Sequence, residues 1–78
     1  MYLFYAMNNG YIPMGNDGQM ILPPRTSWGK AKEIAKQWLG KRAGRVYLMT
    51  RWTQEMCEMG PTAFNEYIAR HGELVAHS

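Results

Sequence analysis

Residues 27–39 read SWGKAKEIAKQWL. The apolar residues of this stretch recur at helical spacing and fall within an arc of roughly 140° at about 100° per residue, which predicts an amphipathic helix. Thr26 or Ser27 can cap its start by accepting a backbone amide hydrogen bond, and Gly40 suits the left-handed position after a helix end. Such a helix has one apolar side to bury, so we expect it to lie on a sheet.

The next stretch, residues 45–52, reads RVYLMTRW and predicts a strand because its side chains alternate between two faces. We expect one face to lie under the helix, together with Trp28 and Trp38; this face comprises Val46, Leu48, Thr50 and Trp52. The other face is free if the sheet is covered on one side only; it comprises Arg45, Tyr47, Met49 and Arg51.

The N-terminal third predicts a hairpin or short meander. Residues 2–8 are rich in aromatic side chains and end at Asn9-Gly10, a pair that favours a tight hairpin turn. Residues 11–14 are one candidate for the returning strand, although Pro13 confines them to a sheet edge. Residues 19–22 are the other candidate.

The C-terminal third is less regular. Residues 53–59 fit either a short helix or a continued strand, and Gly60-Pro61 breaks the chain. A last helix then ends at Gly72, with Leu74 and Val75 folding back onto it and residues 76–78 fraying. The order of elements predicts one domain over residues 1–78, a small α+β two-layer domain with an antiparallel sheet of about three strands packed by the amphipathic helix and a C-terminal helix.

Composition excludes several classes of protein. The chain of 78 residues has 46% hydrophobic and 13% aromatic residues, too many for a disordered tail. Its one cysteine cannot form an intramolecular disulfide, and no apolar run approaches the roughly 18 residues of a membrane span. Residues 1–7 lack the basic lead-in and cleavage site of a signal peptide. We therefore expect a cytoplasmic protein with no membrane partner.

Charge is distributed unevenly along the chain. Residues 25–51 carry eight basic side chains against Glu33 alone, a net charge of +7, whereas residues 52–78 have a net charge of −3. The pattern favours a basic surface that attracts phosphate or an acidic partner. The alternative is an ordinary solvated helix face.

No catalytic or metal-binding constellation stands out. Cys57 lies between Met56 and Glu58, where a neighbouring carboxylate disfavours the thiolate that a nucleophile needs. His71 and His77 lack the spacing of a metal site with Cys57. Glu55 and Glu58 would share an exposed helix face with nothing to tune them for acid–base work. We expect no enzyme activity, no cofactor and no metal.

Nucleic-acid binding is a stronger candidate. The strand face described above would combine two guanidinium groups with one stacking ring, as single-strand binders do. Protein binding is equally consistent, because seven methionines and three tryptophans supply adaptable and anchoring apolar groups. The predicted partner-binding residues are Arg42, Arg45, Tyr47, Met49 and Arg51, with Lys30, Lys32 and Lys36 as a second rim. Tyr11 and Met14 are further candidates for an exposed patch.

A layout of helix followed by strand runs from Ser27 to Thr50; it is carried by Ser27, Ala31, Ala35 and Trp38 and then by Gly44, Val46, Tyr47 and Thr50. This layout, about a third of the chain, resembles the core of several small phage-encoded proteins, including anti-CRISPR inhibitors. The resemblance implies a binder that blocks a nuclease complex or its nucleic-acid groove, and it transfers no functional residue.

Two functions therefore remain as hypotheses. The first is a non-enzymatic, anti-CRISPR-like phage inhibitor that acts in the cytoplasm of the host cell and binds a protein complex of a host defence system, for example at the nucleic-acid-binding surface of that complex. The alternative is a small nucleic-acid-binding protein that uses the same basic and aromatic residues. A homodimer is compatible with both, because an edge strand near Pro13 needs covering.

Overall fold

The computed structural model describes all 78 residues as an α+β domain with one four-stranded antiparallel sheet and three α-helices. The elements are β1 (Tyr2–Ala6), β2 (Gln19–Ile21), α1 (Trp28–Leu39), β3 (Arg45–Met49), α2 (Gln54–Glu58), α3 (Pro61–His71) and β4 (Glu73–His77). A single 3-10 turn, Gly15–Asp17, precedes β2. The strands lie in the order β2-β1-β3-β4, so β2 and β4 are the two edges of the sheet.

Strand β1 is apolar on both faces, and this property sets the number of layers. Leu3 and Tyr5 pack in one hydrophobic cluster with the buried face of α1. Phe4 and Ala6 point the other way and pack in a second cluster with Ile68 of α3. The sheet therefore lies between α1 and the C-terminal helices, and the expected two-layer arrangement is wrong.

The prediction of α1 is confirmed. The Ser27 hydroxyl oxygen accepts a hydrogen bond from the Lys30 amide at 3.1 Å, which caps the first turn. The helix ends before Gly40, whose φ of 56° is one that residues with a Cβ rarely adopt. Ala31 and Ala35 are fully buried, since their small side chains bring the helix backbone close to the sheet.

Residues 53–59, for which the sequence allowed either a helix or a strand, contain helix α2. In α2, the Thr53 hydroxyl oxygen accepts a hydrogen bond from the Met56 amide at 3.3 Å, and Met56 is buried. Pro61 then occupies the first turn of α3, where its missing amide hydrogen costs nothing. None of the three helices combines the length and the apolar character that crossing a membrane requires.

The C-terminus forms the fourth strand, which the sequence did not predict. Ala76 is buried, and the Ser78 amide donates to the Gly44 carbonyl at 3.0 Å. The Ser78 hydroxyl also donates to the Arg42 carbonyl at 2.6 Å. The expectation that residues 76–78 fray is therefore wrong, because pairing with β3 supplies backbone partners that a free tail would lack.

The N-terminal hairpin has a long connection. The turn at Asn9-Gly10 is confirmed, since the Gly10 amide donates to the Met7 carbonyl at 2.8 Å. Residues 11–14 do not form a strand; β2 returns only at Gln19, which pairs with Phe4. Residues 11–18, between the turn and β2, lie on the α3 side of the sheet. Ile12 packs there in the cluster that contains Phe4 and Ile68.

Two glycine-to-alanine substitutions should have opposite effects on stability, because Gly44 is tightly packed just before β3 whereas Gly29 is exposed on α1. A Cβ on Gly44 would meet the Ala6 carbonyl and approach the Tyr5 ring to 2.8 Å, at a φ of +150°. We expect Gly44→Ala to lower the free energy of unfolding by about 2–4 kcal/mol. Gly29→Ala meets no atom within 4 Å and should raise it by about 0.5–1 kcal/mol. Urea denaturation checks both values, and equal stability of Gly44→Ala and the unaltered protein would contradict the packing described.

Candidate functional site

The predicted open face of β3 is covered. Met49 is only 8% exposed and Tyr47 is half-buried, because both pack with Phe4 and Ile68 in the cluster beneath α3. Met49 therefore cannot contact a partner in this structure. Arg45 remains exposed at the start of the strand.

The predicted arginines do not form one patch. Arg45 is the first residue of β3, and Arg51 lies two residues beyond its end, so the length of the strand, about 13 Å, separates the two positions. The Arg42 guanidinium lies 5.6 Å from the centroid of the Tyr5 ring. That ring is held in place because its hydroxyl donates to the Ala43 carbonyl at 2.8 Å.

Two of the three predicted helix lysines lie beside β4. Lys32 and Lys36 line a depression of about 620 Å³ between α1 and the outer edge of β4, which His77 also lines. We call this surface the basic edge, defined by Lys32, Lys36 and His77. Lys30 is exposed but does not line it.

Trp28 is the first residue of α1. The expectation that it lies in the core is wrong. Its side chain is 49% exposed, and its indole N–H donates to a Glu73 carboxylate oxygen at 3.0 Å. The Lys32 ammonium lies 5.1 Å from the centroid of the Trp28 ring, a cation–π distance. Trp38, by contrast, packs against the Tyr5 ring at 6.2 Å and is half-buried.

On the opposite side of the sheet, Trp52 builds an aromatic surface. Its ring centroid lies 5.6 Å from that of Tyr2, 5.9 Å from that of Phe4 and 6.1 Å from that of Phe64. The Trp52 indole N–H donates to the Cys57 sulfur at 2.7 Å, which fixes the ring against α2. Because β3 ends at Met49, Trp52 lies on the α3 side rather than under α1 as expected.

The segment before β2 completes a groove over these rings. A depression of about 380 Å³ lies between residues 11–18 and the rings of Trp52 and Phe64. Ile12 anchors that segment, because its amide donates to the Asn65 side-chain oxygen at 3.2 Å. We call this depression the aromatic groove; the residues that carry the argument below are Tyr11, Met14, Trp52, Met59 and Phe64.

Sequence reasoning found only part of this groove. Tyr11 and Met14 are exposed as predicted, and Met14 is 80% exposed. The sequence predicts Trp52 under α1, and it gives no signal that brings Phe64 to this groove. No periodicity relates Tyr11, in a loop, to Phe64, in a helix 53 positions later. The one available signal was the density of aromatic and methionine side chains outside α1.

The candidate catalytic residues stay apart. The Cys57 sulfur accepts the Trp52 indole N–H, and the His71 ring packs on Tyr67 with centroids 4.4 Å apart. No three His, Cys, Asp or Glu side chains come together in a group that could hold a metal ion. The basic edge and the aromatic groove are the candidate binding surfaces considered below.

Comparison of the chain with protein families, with curated proteins and with solved structures gives no match. The fold and both surfaces therefore rest on this chain's own residues. The resemblance to anti-CRISPR inhibitors stays a prediction.

Asn65 should control the mobility of the groove wall. Asn65→Ala removes the acceptor for the Ile12 amide, and we expect about a fivefold faster hydrogen exchange at that amide, since one hydrogen bond is worth about 1 kcal/mol. Asn65→Asp keeps an oxygen in place and should preserve the slow exchange. NMR-detected exchange measures both, and an unchanged Ile12 rate in Asn65→Ala would show that other contacts hold the wall.

Proposed function

We propose that this protein is a non-enzymatic binding protein that docks stoichiometrically onto a partner protein through the aromatic groove. One observation carries the proposal: an apolar groove of about 380 Å³ is open to solvent and has the almost fully exposed Met14 on its wall. A small domain gains stability by burying such a side chain, so leaving it in water favours a role in binding.

The composition of the groove suits an interface centre. Trp and Tyr are enriched among the residues that dominate binding energy, and Met adapts its shape to a partner. Trp52 and Phe64 form a floor fixed by ring contacts, whereas Met14 and Tyr11 are exposed and free to repack. The complementary group is an apolar side chain of the partner, which would fill the groove and displace its water.

The segment that carries Met14 is also anchored before binding. The buried Ile12 and its bond to Asn65 fix one end, and the Gly18 carbonyl accepts a hydrogen bond from the Tyr5 amide at 3.0 Å at the other. Anchored ends lower the ordering cost of association. This favours a specific docking surface over a collapsed loop.

The narrower proposal is an anti-CRISPR-like inhibitor of a host defence nuclease complex, acting in the cytoplasm of the host cell. It rests on the helix-then-strand layout of residues 27–50. The aromatic groove is compatible with such a role, because inhibition by occupancy requires only a stable complex. The exposed Arg42 and Arg45 would then steer encounter with an acidic surface.

The nucleic-acid alternative has less support. Its one stacking ring is that of Tyr47, which lies half-buried beneath α3 beside the buried Met49. Its two arginines flank opposite ends of β3, so phosphate contacts and base contacts would not share one surface. The lysines of the basic edge remain available for phosphate, which makes nucleic acid an outcome of the experiments below.

A photo-crosslinking residue at position 14 should identify the partner directly. We expect nuclease-treated bacterial lysate from cells making the Met14-substituted protein to yield one crosslinked protein. The same residue at Gln37, which is exposed on α1 on the opposite side of the sheet, should not yield it. With the purified partner, Met14→Ser combined with Tyr11→Ser should weaken binding by more than about tenfold, as for loss of an interface anchor. Gln37→Ser should leave affinity within about twofold.

Calorimetric titration of the purified partner gives these affinities and the stoichiometry. Circular dichroism confirms that each variant keeps its fold. An unchanged affinity in the double variant would remove the groove from the interface. Loss of all crosslinks and partners on nuclease treatment would instead support nucleic-acid binding.

A further inference from the structure

The outer edge of β4 offers a second and separate binding surface. Strand β4 pairs only with β3, so one side of its backbone lacks partners. The Ser78 amide donates inward to Gly44, and by the alternation of an antiparallel ladder the His77 amide and carbonyl point outward. The edge is thus a template for one more strand.

Helix α1 runs alongside this edge in the same direction as β4. Trp28 bonds Glu73 at the start of the strand, and Gly40 borders the same depression as Ser78 at its end. Lys32 and Lys36 lie between these points, facing the space that an added strand would occupy. The only carboxylate on β4, that of Glu73, accepts the Trp28 N–H and lies at the far end from His77.

We propose that the basic edge binds an extended acidic peptide segment of a partner protein, added antiparallel or parallel to β4. The charges are complementary, and so is their spacing. Lys32 and Lys36 are about 6 Å apart along the helix axis, four residues at 1.5 Å each. Alternate side chains on one face of a strand repeat at about 6.7 Å. A sequence with acidic residues at alternate positions therefore places one carboxylate against each lysine.

Two other occupants fit this surface less well. A second copy of the chain, pairing β4 with β4, would bring the lysines of both α1 helices to the same junction, where like charges repel. Nucleic acid would satisfy the lysines but not the outward amide and carbonyl of His77, which match another peptide backbone. This proposal does not depend on the aromatic groove, which lies on the other side of the sheet.

The direct test is fluorescence anisotropy with a labelled nonapeptide in which glutamate alternates with threonine. We expect saturable one-to-one binding that weakens as salt rises. A peptide with lysine in place of glutamate should not bind. A fully N-methylated peptide keeps the charge but has no amide hydrogen to donate, so it should bind far more weakly.

Substitutions locate the peptide on the protein. Lys32→Gln with Lys36→Gln should weaken binding at least about threefold, as for loss of two exposed ion pairs. Lys30→Gln with Arg70→Gln removes the same net charge outside the depression and should change affinity by less than about twofold. In the complex, hydrogen exchange at the His77 amide should slow, whereas that at Ser78, already bonded to Gly44, should not.

Four results would overturn the proposal: equal binding of the N-methylated peptide, no effect of the lysine pair, an unchanged His77 exchange rate, or no peptide binding at all. A single-stranded oligonucleotide that binds more tightly than the peptide and depends on Lys32 and Lys36 would assign the lysines to phosphate instead. A dimer in sedimentation velocity in which the His77 amide exchanges slowly without peptide would assign the edge to a second copy.

Discussion

Burial of β1 on both of its faces is the constraint from which the rest of the structure follows. The strand YLFYA has no polar face, so pairing it with β2 and β3 is not enough to keep its side chains from water. One helix covers Leu3 and Tyr5, and a second must cover Phe4 and Ala6. Helices α2 and α3 therefore cover the second face of β1. The same helices also cover the face of β3 that carries Tyr47 and Met49.

This constraint was readable in the sequence, since an apolar run without alternation indicates a strand that is buried on both sides. The alternation of residues 45–52 suggested the opposite, because Arg45 and Arg51 gave that face a polar appearance. In the structure these arginines belong to the two ends of the strand, where solvent is near, while Tyr47 and Met49 between them are covered. A face in a short strand is thus defined by its central residues.

Local signals predicted α1 well and β4 not at all, for a physical reason. Helix α1 is specified by its own caps and periodicity, which lie within 14 residues. Strand β4 is five residues long and gains its stability from pairing with β3, so its sequence alone carries little preference. Likewise, the exposed position of Trp28 depends on Glu73, 45 residues away, and the aromatic groove depends on Ile12 meeting Asn65.

The two faces of the small sheet are covered by different elements, and each face is left with a different exposed surface. On the α1 side, the helix lies along β4 and leaves the basic edge, where lysines lie beside an unpaired backbone. On the other side, α2, α3 and a loop cover β1 incompletely and leave the aromatic groove. Helices α2 and α3 carry three glutamates against Arg70, whereas α1 carries three lysines against Glu33, so the asymmetry of charge along the sequence becomes a difference between the two faces. Such a distribution of charge would orient an acidic partner toward the α1 side at a distance. The apolar groove would act only at contact, because hydrophobic attraction has no range beyond the water that is displaced.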